Sequence, residues 1–398
     1  MRWHRFVISG LIGLCLTIGW ACQAVQPQNS ASLPSPSEIS PSEISPSEIS
    51  PSVINSNLSS RPTVATLATP LPPVTEAIVQ QFPHLANPPR GDVRLALISD
   101  LNSAYGSTDY EPEVDRGVNL LPFWQPDLVL CSGDMVAGQK PSLTPDQIRA
   151  MWDAFDQHVA APLRQFQLPF GFTIGNHDAS GSTAINGGFL FQQERDLATQ
   201  YWHAQTHHPG IQFVDRFEFP FYYTFQHQDI FFLAWDGSSS RIPSDKLNWV
   251  ERALASPAAQ QAKLRILLSH LPLYGVAVGR DEPGEVMDNA DELRSLLEKY
   301  NVHTYISGHH HAYYPGHKGE IQLLHAGILG SGPRPLIAGD QPPRKTLTLI
   351  DVDFNSPELT RYTTYDMQTL QVIEMAELPR FLAGHNGTVY RRDIDSVQ

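Results

Sequence analysis

The run Tyr305-Ile306-Ser307-Gly308-His309-His310-His311 ends a short apolar stretch in a glycine and three consecutive imidazoles. If Val302 to Ile306 is a buried strand, the chain turns at Gly308, and His309 and His311, two apart, can aim at one point. Two imidazoles at one strand end suit a metal ion, although a His-x-His pair alone is also compatible with a hydrogen-bonded surface loop. Four more residues of metal-compatible type stand at the ends of apolar runs upstream: Asp100 after Val93 to Ser99, Asp134 after Leu128 to Cys131, Asn176 after Phe170 to Ile174, and His270 after Leu264 to Leu268. Carboxylate, amide oxygen and imidazole together form borderline-soft sites for Mn, Fe or Zn, and a carboxylate such as Asp134 can be shared by two ions. Paired cations of this kind activate water and clamp the oxygens of a phosphoryl transfer.

The elements that must position these residues read as buried strands, because short β-rich runs apolar on both faces belong to the interior of a covered sheet. Ile230 to Trp235 and Ile321 to Leu324 add two further runs. Helices fall between them: Pro243-Ser244-Asp245 starts one with Leu247, Val250 and Leu254 on one face, and Asp288-Asn289 starts another carrying Leu293, Leu296, Leu297 and Tyr300. Strands alternating with helices over such a span predict an α/β domain, with the functional residues gathered at the carboxyl ends of strands. A short helix is expected over Val74 to Gln81, and weak strands after Val352.

The formal net charge of −14 excludes an ordinary nucleic-acid surface, since phosphate backbones reward Lys/Arg clusters, whereas an acidic chain accommodates cations. Of three cysteines, Cys15 and Cys22 lie in the N-terminal apolar stretch, so Cys131 has no partner for a disulfide within the core. No Cys-x-x-Cys occurs, and neither a Gly-x-Ser-x-Gly elbow nor a Gly-x-x-x-x-Gly-Lys loop is present.

Residues 1–22 read as an export signal: Arg2 and Arg5 precede a mostly apolar stretch from Phe6 to Ile18, shorter than the roughly 20 residues of a membrane span. Cys22 directly after Ala21 resembles a bacterial lipobox, although Gly19 and Trp20 depart from it. The expectation is a lipoprotein tethered to a membrane through its N-terminus and facing the periplasm or the cell exterior, with a plain cleaved signal or an uncleaved anchor as alternatives. Residues 23–88 are rich in Ser and Pro and repeat Pro36–Ser40 twice more through Ser50; proline every fifth residue forbids a regular helix, so this segment is expected as a disordered linker. Residues 89–355 would then form the catalytic domain and 356–398 additional strands packed on it.

The order Asp100, Gly133-Asp134, Gly175-Asn176-His177-Asp178, His270, Gly308-His309-x-His311 resembles the calcineurin-like metallophosphoesterase superfamily, which includes the purple acid phosphatases. The likeness runs from about Arg94 to Gly327. It implies a four-layer α/β/β/α sandwich and a dinuclear metal centre in which hydroxide between the ions attacks a small phosphate ester. By position, it assigns Asp100, Asp134 and His311 to a first ion, and Asp134, Asn176, His270 and His309 to a second. His177 would contact the phosphate and protonate the leaving group, with Asp178 orienting it, and His310 would face away.

Two departures stand out. The family usually carries Asp-x-His at its first motif, and here Asp100-Leu101-Asn102 puts an amide at the imidazole position; Asn102 is therefore a candidate, weaker ligand. Purple acid phosphatases place a metal-binding tyrosine where this chain has Ala137, so their colour is not expected. The expected activity is phosphate-ester hydrolysis, the alternatives being a phosphodiesterase for cyclic nucleotides or lipid head groups, and a non-catalytic surface binding protein with a degraded first site.

Overall fold

The run from Val93 to Ile98 is buried at every position, as a strand covered on both faces requires, and it forms the centre of the first of two sheets. The computed structural model describes residues 70–395, so the expected signal over 1–22 and the repeats of the linker lie outside the described residues. In chain order the strands are β1 (Val93–Ile98), β2 (Leu128–Cys131), β3 (Phe170–Phe172), β4 (Gln212–Glu218), β5 (Tyr222–His227), β6 (Ile230–Ala234), β7 (Leu264–Leu268), β8 (Thr304–Ser307), β9 (Tyr313–Lys318), β10 (Ile321–Ala326), β11 (Thr346–Val352), β12 (Thr360–Asp366), β13 (Phe381–Gly384) and β14 (Gly387–Arg391). One sheet has five strands in the order β12-β11-β1-β2-β3; the other has nine, in the order β13-β14-β9-β10-β8-β7-β6-β5-β4.

Parallel pairing joins β1-β2-β3 in one sheet, with β3 at its edge, and β6-β7-β8-β10 in the middle of the other; the remaining strands pair antiparallel. The crossovers between parallel strands carry helices, including Pro112–Trp124 between β1 and β2, Ser244–Leu254 between β6 and β7, and Ala290–Lys299 between β7 and β8. The two sheets meet face to face through β3: Phe172 N–H donates to the Tyr223 hydroxyl (3.1 Å), Thr173 Oγ1 donates to Trp235 O (2.7 Å), and a Cβ on Gly171 would stand 2.4 Å from the Phe225 ring. The result is a mixed α/β fold, two packed sheets flanked by helices, as the resemblance implied.

The boundary expected at residue 88 needs correction. Helix Pro73–Gln81 is formed, its Ile78 and Val79 and the following Phe82 and Leu85 pack on the core, and Thr75 donates to Asn119 O (2.6 Å). The segment up to 88 is then held by Arg94, whose buried guanidinium reaches Asn87 Oδ1 (2.8 Å), Pro88 O (2.8 Å) and both oxygens of Asp351 (2.8 and 3.1 Å). Residues beyond 355 join both sheets, β12 in the first and β13-β14 in the second. Among the described residues no helix is long and apolar enough to cross a membrane.

Candidate metal centre

The five parallel strands β1, β2, β3, β7 and β8 point their carboxyl ends to one place, and the loops leaving them carry Asp100, Asp134, Asn176, His270 and the pair His309 and His311. Four of these residues adopt left-handed backbone: Asp100 (φ 50°), Asp134 (φ 55°), His309 (φ 64°) and His311 (φ 54°). β1, β2 and β8 thus break abruptly into their loops, a strained conformation concentrated where ligands converge.

Asp100, Asp134 and His311 form one cluster, with one ligand atom of each within 4.8 Å of the others. Asp100 accepts the Ser99 hydroxyl and the His309 N–H (3.1 and 3.2 Å to its two oxygens), which fixes its carboxylate, and Nε2 of His311 stands 3.3 Å from Asp100 Oδ1. The His311 Nδ1–H donates to Gly332 O (2.9 Å), so its Nε2 presents a lone pair to the cluster.

The second cluster surrounds the amide oxygen of Asn176. His270 Nδ1–H donates to Ser132 O (2.8 Å), leaving a lone pair on Nε2, which faces Asn176 Oδ1 at 2.8 Å and Asp134 Oδ2 at 3.3 Å. His309 repeats the pattern: Nε2–H donates to Glu285 Oε2 (2.7 Å), and Nδ1 faces Asn176 Oδ1 at 2.9 Å. The Asn176 amide is oriented by its own donation to Gln139 Oε1 (2.7 Å). Acceptors therefore meet acceptors, and Asp134 Oδ2 is a buried oxygen without a hydrogen-bond donor among the described residues. A cation satisfies such a set. Without a metal, the available cation is a proton on His270: burial opposes it, but the Asp134 carboxylate prevails and raises the imidazole to about 9. Burial pushes Asp134 upward, and the charges of His270 and His177 reverse this and hold it well below the usual carboxylate range. Burial, then the neighbouring His270 charge, keeps His309 well below its ordinary value, as a neutral ligand needs. The donor set, two shared or flanking carboxylates with neutral imidazoles and an amide oxygen, fits Mn, Fe or Zn. Asp134 belongs to both clusters.

His309 and His311 do not aim at one point. They diverge, one to each cluster, because both backbone turns are left-handed. His310 is buried behind them, Nε2 on Glu285 O (3.0 Å) and Nδ1 receiving Val276 N–H (3.3 Å), which is a structural position. His177 donates its backbone N–H to Asp134 Oδ1 (2.8 Å) and holds its ring Nε2 3.9 Å from Asp134 Oδ2, with Nδ1 on Gly138 O (3.3 Å). Asp178, expected to orient His177, does not touch that ring. Its Oδ1 accepts Met135 N–H (2.7 Å) and Val136 N–H (2.9 Å), and Oδ2 accepts Gly175 N–H (2.8 Å), so it locks the Asp134 turn to the Asn176 turn. Asn102 is buried near the first cluster and uses its backbone there, donating to Asp134 O (3.3 Å) and accepting from Ser331 N–H (3.0 Å).

Sequence reasoning did not find Glu285, Arg280 or Gln139. Glu285 sets the His309 tautomer and pairs with Arg280, and all three line the cleft over the clusters. The signal was absent because they lie in loops with no motif, and only folding brings them to the histidines. The cleft, about 1470 Å³, is lined by Tyr105, whose ring centroid lies 5.0 Å from that of His177, and also by Ser239, Arg241 and Lys246.

The sequence profile described as calcineurin-like phosphoesterase matches residues 93–313. No curated protein matches the chain significantly. Among solved structures, a purple acid phosphatase from yellow lupin (Lupinus luteus) seeds is 16% identical with a TM-score of 0.50, the match covering 73% of this chain and 54% of that one. The GAP50 anchor of the Plasmodium inner membrane complex is 13% identical (TM-score 0.45, 71% of this chain and 87% of that one), and a dimetal phosphatase from Danio rerio is 13% identical (TM-score 0.41, 66% and 93%). This chain spans only about half the length of the lupin protein, and likeness at these identities concerns the fold.

Proposed function

The chain belongs to the calcineurin-like phosphoesterase family, and from that premise we propose that it hydrolyses small phosphate esters with two metal ions. One ion would be held by Asp100, Asp134 and His311, the other by Asp134, Asn176, His270 and His309. The observation that carries this reading is the meeting of Asn176 Oδ1, His270 Nε2, His309 Nδ1 and Asp134 Oδ2 at one place, an arrangement a cation satisfies. When bound, the ions supply Lewis acidity toward water and the phosphoryl oxygens. The remaining steps fall to the chain. The hydrogen bond from His177 N–H to Asp134 Oδ1 holds His177 beside the shared carboxylate, where its ring would donate the proton the departing oxygen needs. Glu285 and Gly332 O hold His309 and His311 in their ligating tautomers, and Ser132 O does the same for His270. Tyr105 packs against the His177 ring and lines the cleft.

The test is reconstitution of metal-stripped protein with Mn, Fe or Zn, followed by turnover of an aryl phosphate and of the matching aryl phosphodiester. Turnover that needs metal, prefers the monoester and is lost in Asp134→Asn supports the reading. Preference for the diester transfers the same site to phosphodiester chemistry; metal binding without turnover of either ester refutes catalysis. We propose further that the chain is exported and tethered through Cys22, the support being the apolar stretch from Phe6 to Ile18 ahead of that cysteine. Detergent-phase partitioning that persists in Cys22→Ser refutes the lipid tether.

A further inference from the structure

The loop that brings Arg280 and Glu285 to the second cluster is gripped by a part of the chain that lies beyond residue 313, where the match to the phosphoesterase profile ends. Residues 271–289 form no helix or strand, save the isolated bridge of Ala277 with Leu336. So long an irregular segment keeps one conformation only where bonds from its surroundings fix it. Beside the metal ligands, His310 supplies some of them, receiving Val276 N–H on Nδ1 (3.3 Å) and bonding Glu285 O through Nε2 (3.0 Å). The turn of the β13-β14 hairpin supplies others. Asn386 Nδ2 donates to Leu273 O (2.7 Å), and Asn386 Oδ1 accepts the N–H of Gly275, the residue before Val276 (3.1 Å). His385 bonds Asp281 Oδ1 through both its backbone N–H and its ring Nδ1 (2.8 Å each). The fit is close, since a Cβ on Gly384 would stand 2.8 Å from both Asp281 Oδ1 and Gly275 O. The hairpin does not need this grip for its own folding: Leu382 and Val389 sit in the core, and Tyr390 and Arg391 pair with β9.

Asp281 is the neighbour of Arg280, and Arg280 pairs with the Glu285 carboxylate, which in turn takes the Nε2–H of His309. That last bond decides which nitrogen of His309 is free. A neutral imidazole has one proton, and two acceptors face this ring: the Glu285 carboxylate at Nε2 (2.7 Å) and Asn176 Oδ1 at Nδ1 (2.9 Å). The charged acceptor makes the stronger bond while it stays in place. Once Glu285 is free to drift, the proton moves to Nδ1, bonds Asn176 there, and covers the lone pair that an ion would need.

We propose that the hairpin turn 384–387 is a positioning device for the second ion site: by gripping Leu273, Gly275 and Asp281 it keeps Arg280 and Glu285 where they hold the His309 proton on Nε2. Asn386 and Asp281 are its positioning residues. The tautomer is a property of the metal-free protein, whereas the consequence for metal affinity rests on the two-ion reading.

The test follows the His309 ring by nitrogen NMR in the full chain, metal-free and labelled at histidine, its signals identified by their loss in His309→Gln. The parent is expected to carry the Nε2–H tautomer alone. Asn386→Ala and Asp281→Ala remove different halves of the grip, and each, melting near the parent, is expected to populate the Nδ1–H form. Asp281→Asn keeps an acceptor for His385 and is expected to restore the parent tautomer. In titrations of Mn into stripped protein, the two alanine variants should weaken one of two binding steps about tenfold and leave the other unchanged. Asn386→Ala added to Glu285→Ala should cost nothing further, because the hairpin acts through Glu285. A parent tautomer retained in both alanine variants overturns the proposal, as does equal weakening of both binding steps or further loss in the double variant. A tautomer change in a protein that binds no metal upholds the positioning role and defeats the two-ion reading instead.

Discussion

Gly175 lies directly against Asp134, and a methyl group there tests whether the strand-end turns must touch. A Cβ built on Gly175 would stand 2.2 Å from Asp134 Oδ1 and 2.3 Å from the Asp134 amide nitrogen. The carboxylate could rotate away, but the amide nitrogen is backbone, and restoring an ordinary contact requires the two turns to part by about 1 Å. That movement breaks the hydrogen bond from His177 N–H to Asp134 Oδ1 and pulls Asn176 away from His270. Overpacking of this kind costs about 1–3 kcal/mol, or a few degrees of melting temperature for a domain of this size. A misplacement near 1 Å at reacting groups costs about 10²-fold in rate. Gly175→Ala is therefore expected to lower aryl phosphate turnover about a hundredfold and weaken metal binding by calorimetry, with only a modest drop in melting temperature. Gly188→Ala is the control, because the nearest atom to its Cβ would be Asn186 Oδ1 at 3.6 Å. The reasoning is refuted if Gly175→Ala keeps metal affinity and turnover within threefold, or if Gly188→Ala falls as far.

Arg94→Met leaves Asp351 buried without its guanidinium and should cost about 3–5 kcal/mol in urea unfolding; adding Asp351→Leu should recover most of it, and a double variant no better than the single contradicts the desolvation argument. His325 is buried and pushed down to about 3 by that burial. Its unfolded form takes up a proton near pH 6.5 and the folded form does not, so it costs about 1.4 kcal/mol of stability per pH unit as pH falls from 6.5 toward 3. Denaturation curves of His325→Leu should flatten between pH 6 and 5 by that one-proton slope, and an unchanged slope rejects the burial cause. Asn102→His places an imidazole beside the Asp100 cluster and is expected to raise affinity at that site; titration of one metal into stripped protein should show two separated affinities moving together, and no movement means position 102 does not face the ion.

Much of the fold was legible because its central strands are buried on both faces and so write themselves as unbroken apolar runs, as Val93–Ile98 and Leu264–Leu268 do. The residues after those runs were legible for the same reason. β4 was not, since Gln212–Glu218 is an exposed edge strand with no apolar alternation to read. Helix Pro112–Trp124 contains Pro122 near its end, which weakens the pattern. Within the site, residue types could be named, but partners such as Glu285 on His309 join positions 24 apart through a loop whose path no periodicity records. The role given to Asp178 failed because adjacency to His177 in the chain does not mean adjacency of side chains in a turn whose amides claim the carboxylate.

The left-handed turns at Asp100, Asp134, His309 and His311 give the site an inheritance of its own. Asp and His tolerate this conformation better than most residues, yet glycine tolerates it without penalty. A substitution such as Asp100→Gly therefore destroys a ligand while relaxing the backbone and removing a buried carboxylate from the metal-free protein. The same change strands the Ser99 hydroxyl and the His309 N–H without their acceptor, so backbone relief and lost hydrogen bonds pull in opposite directions, and the centre holds its strained shape by the bonds that the carboxylate itself receives.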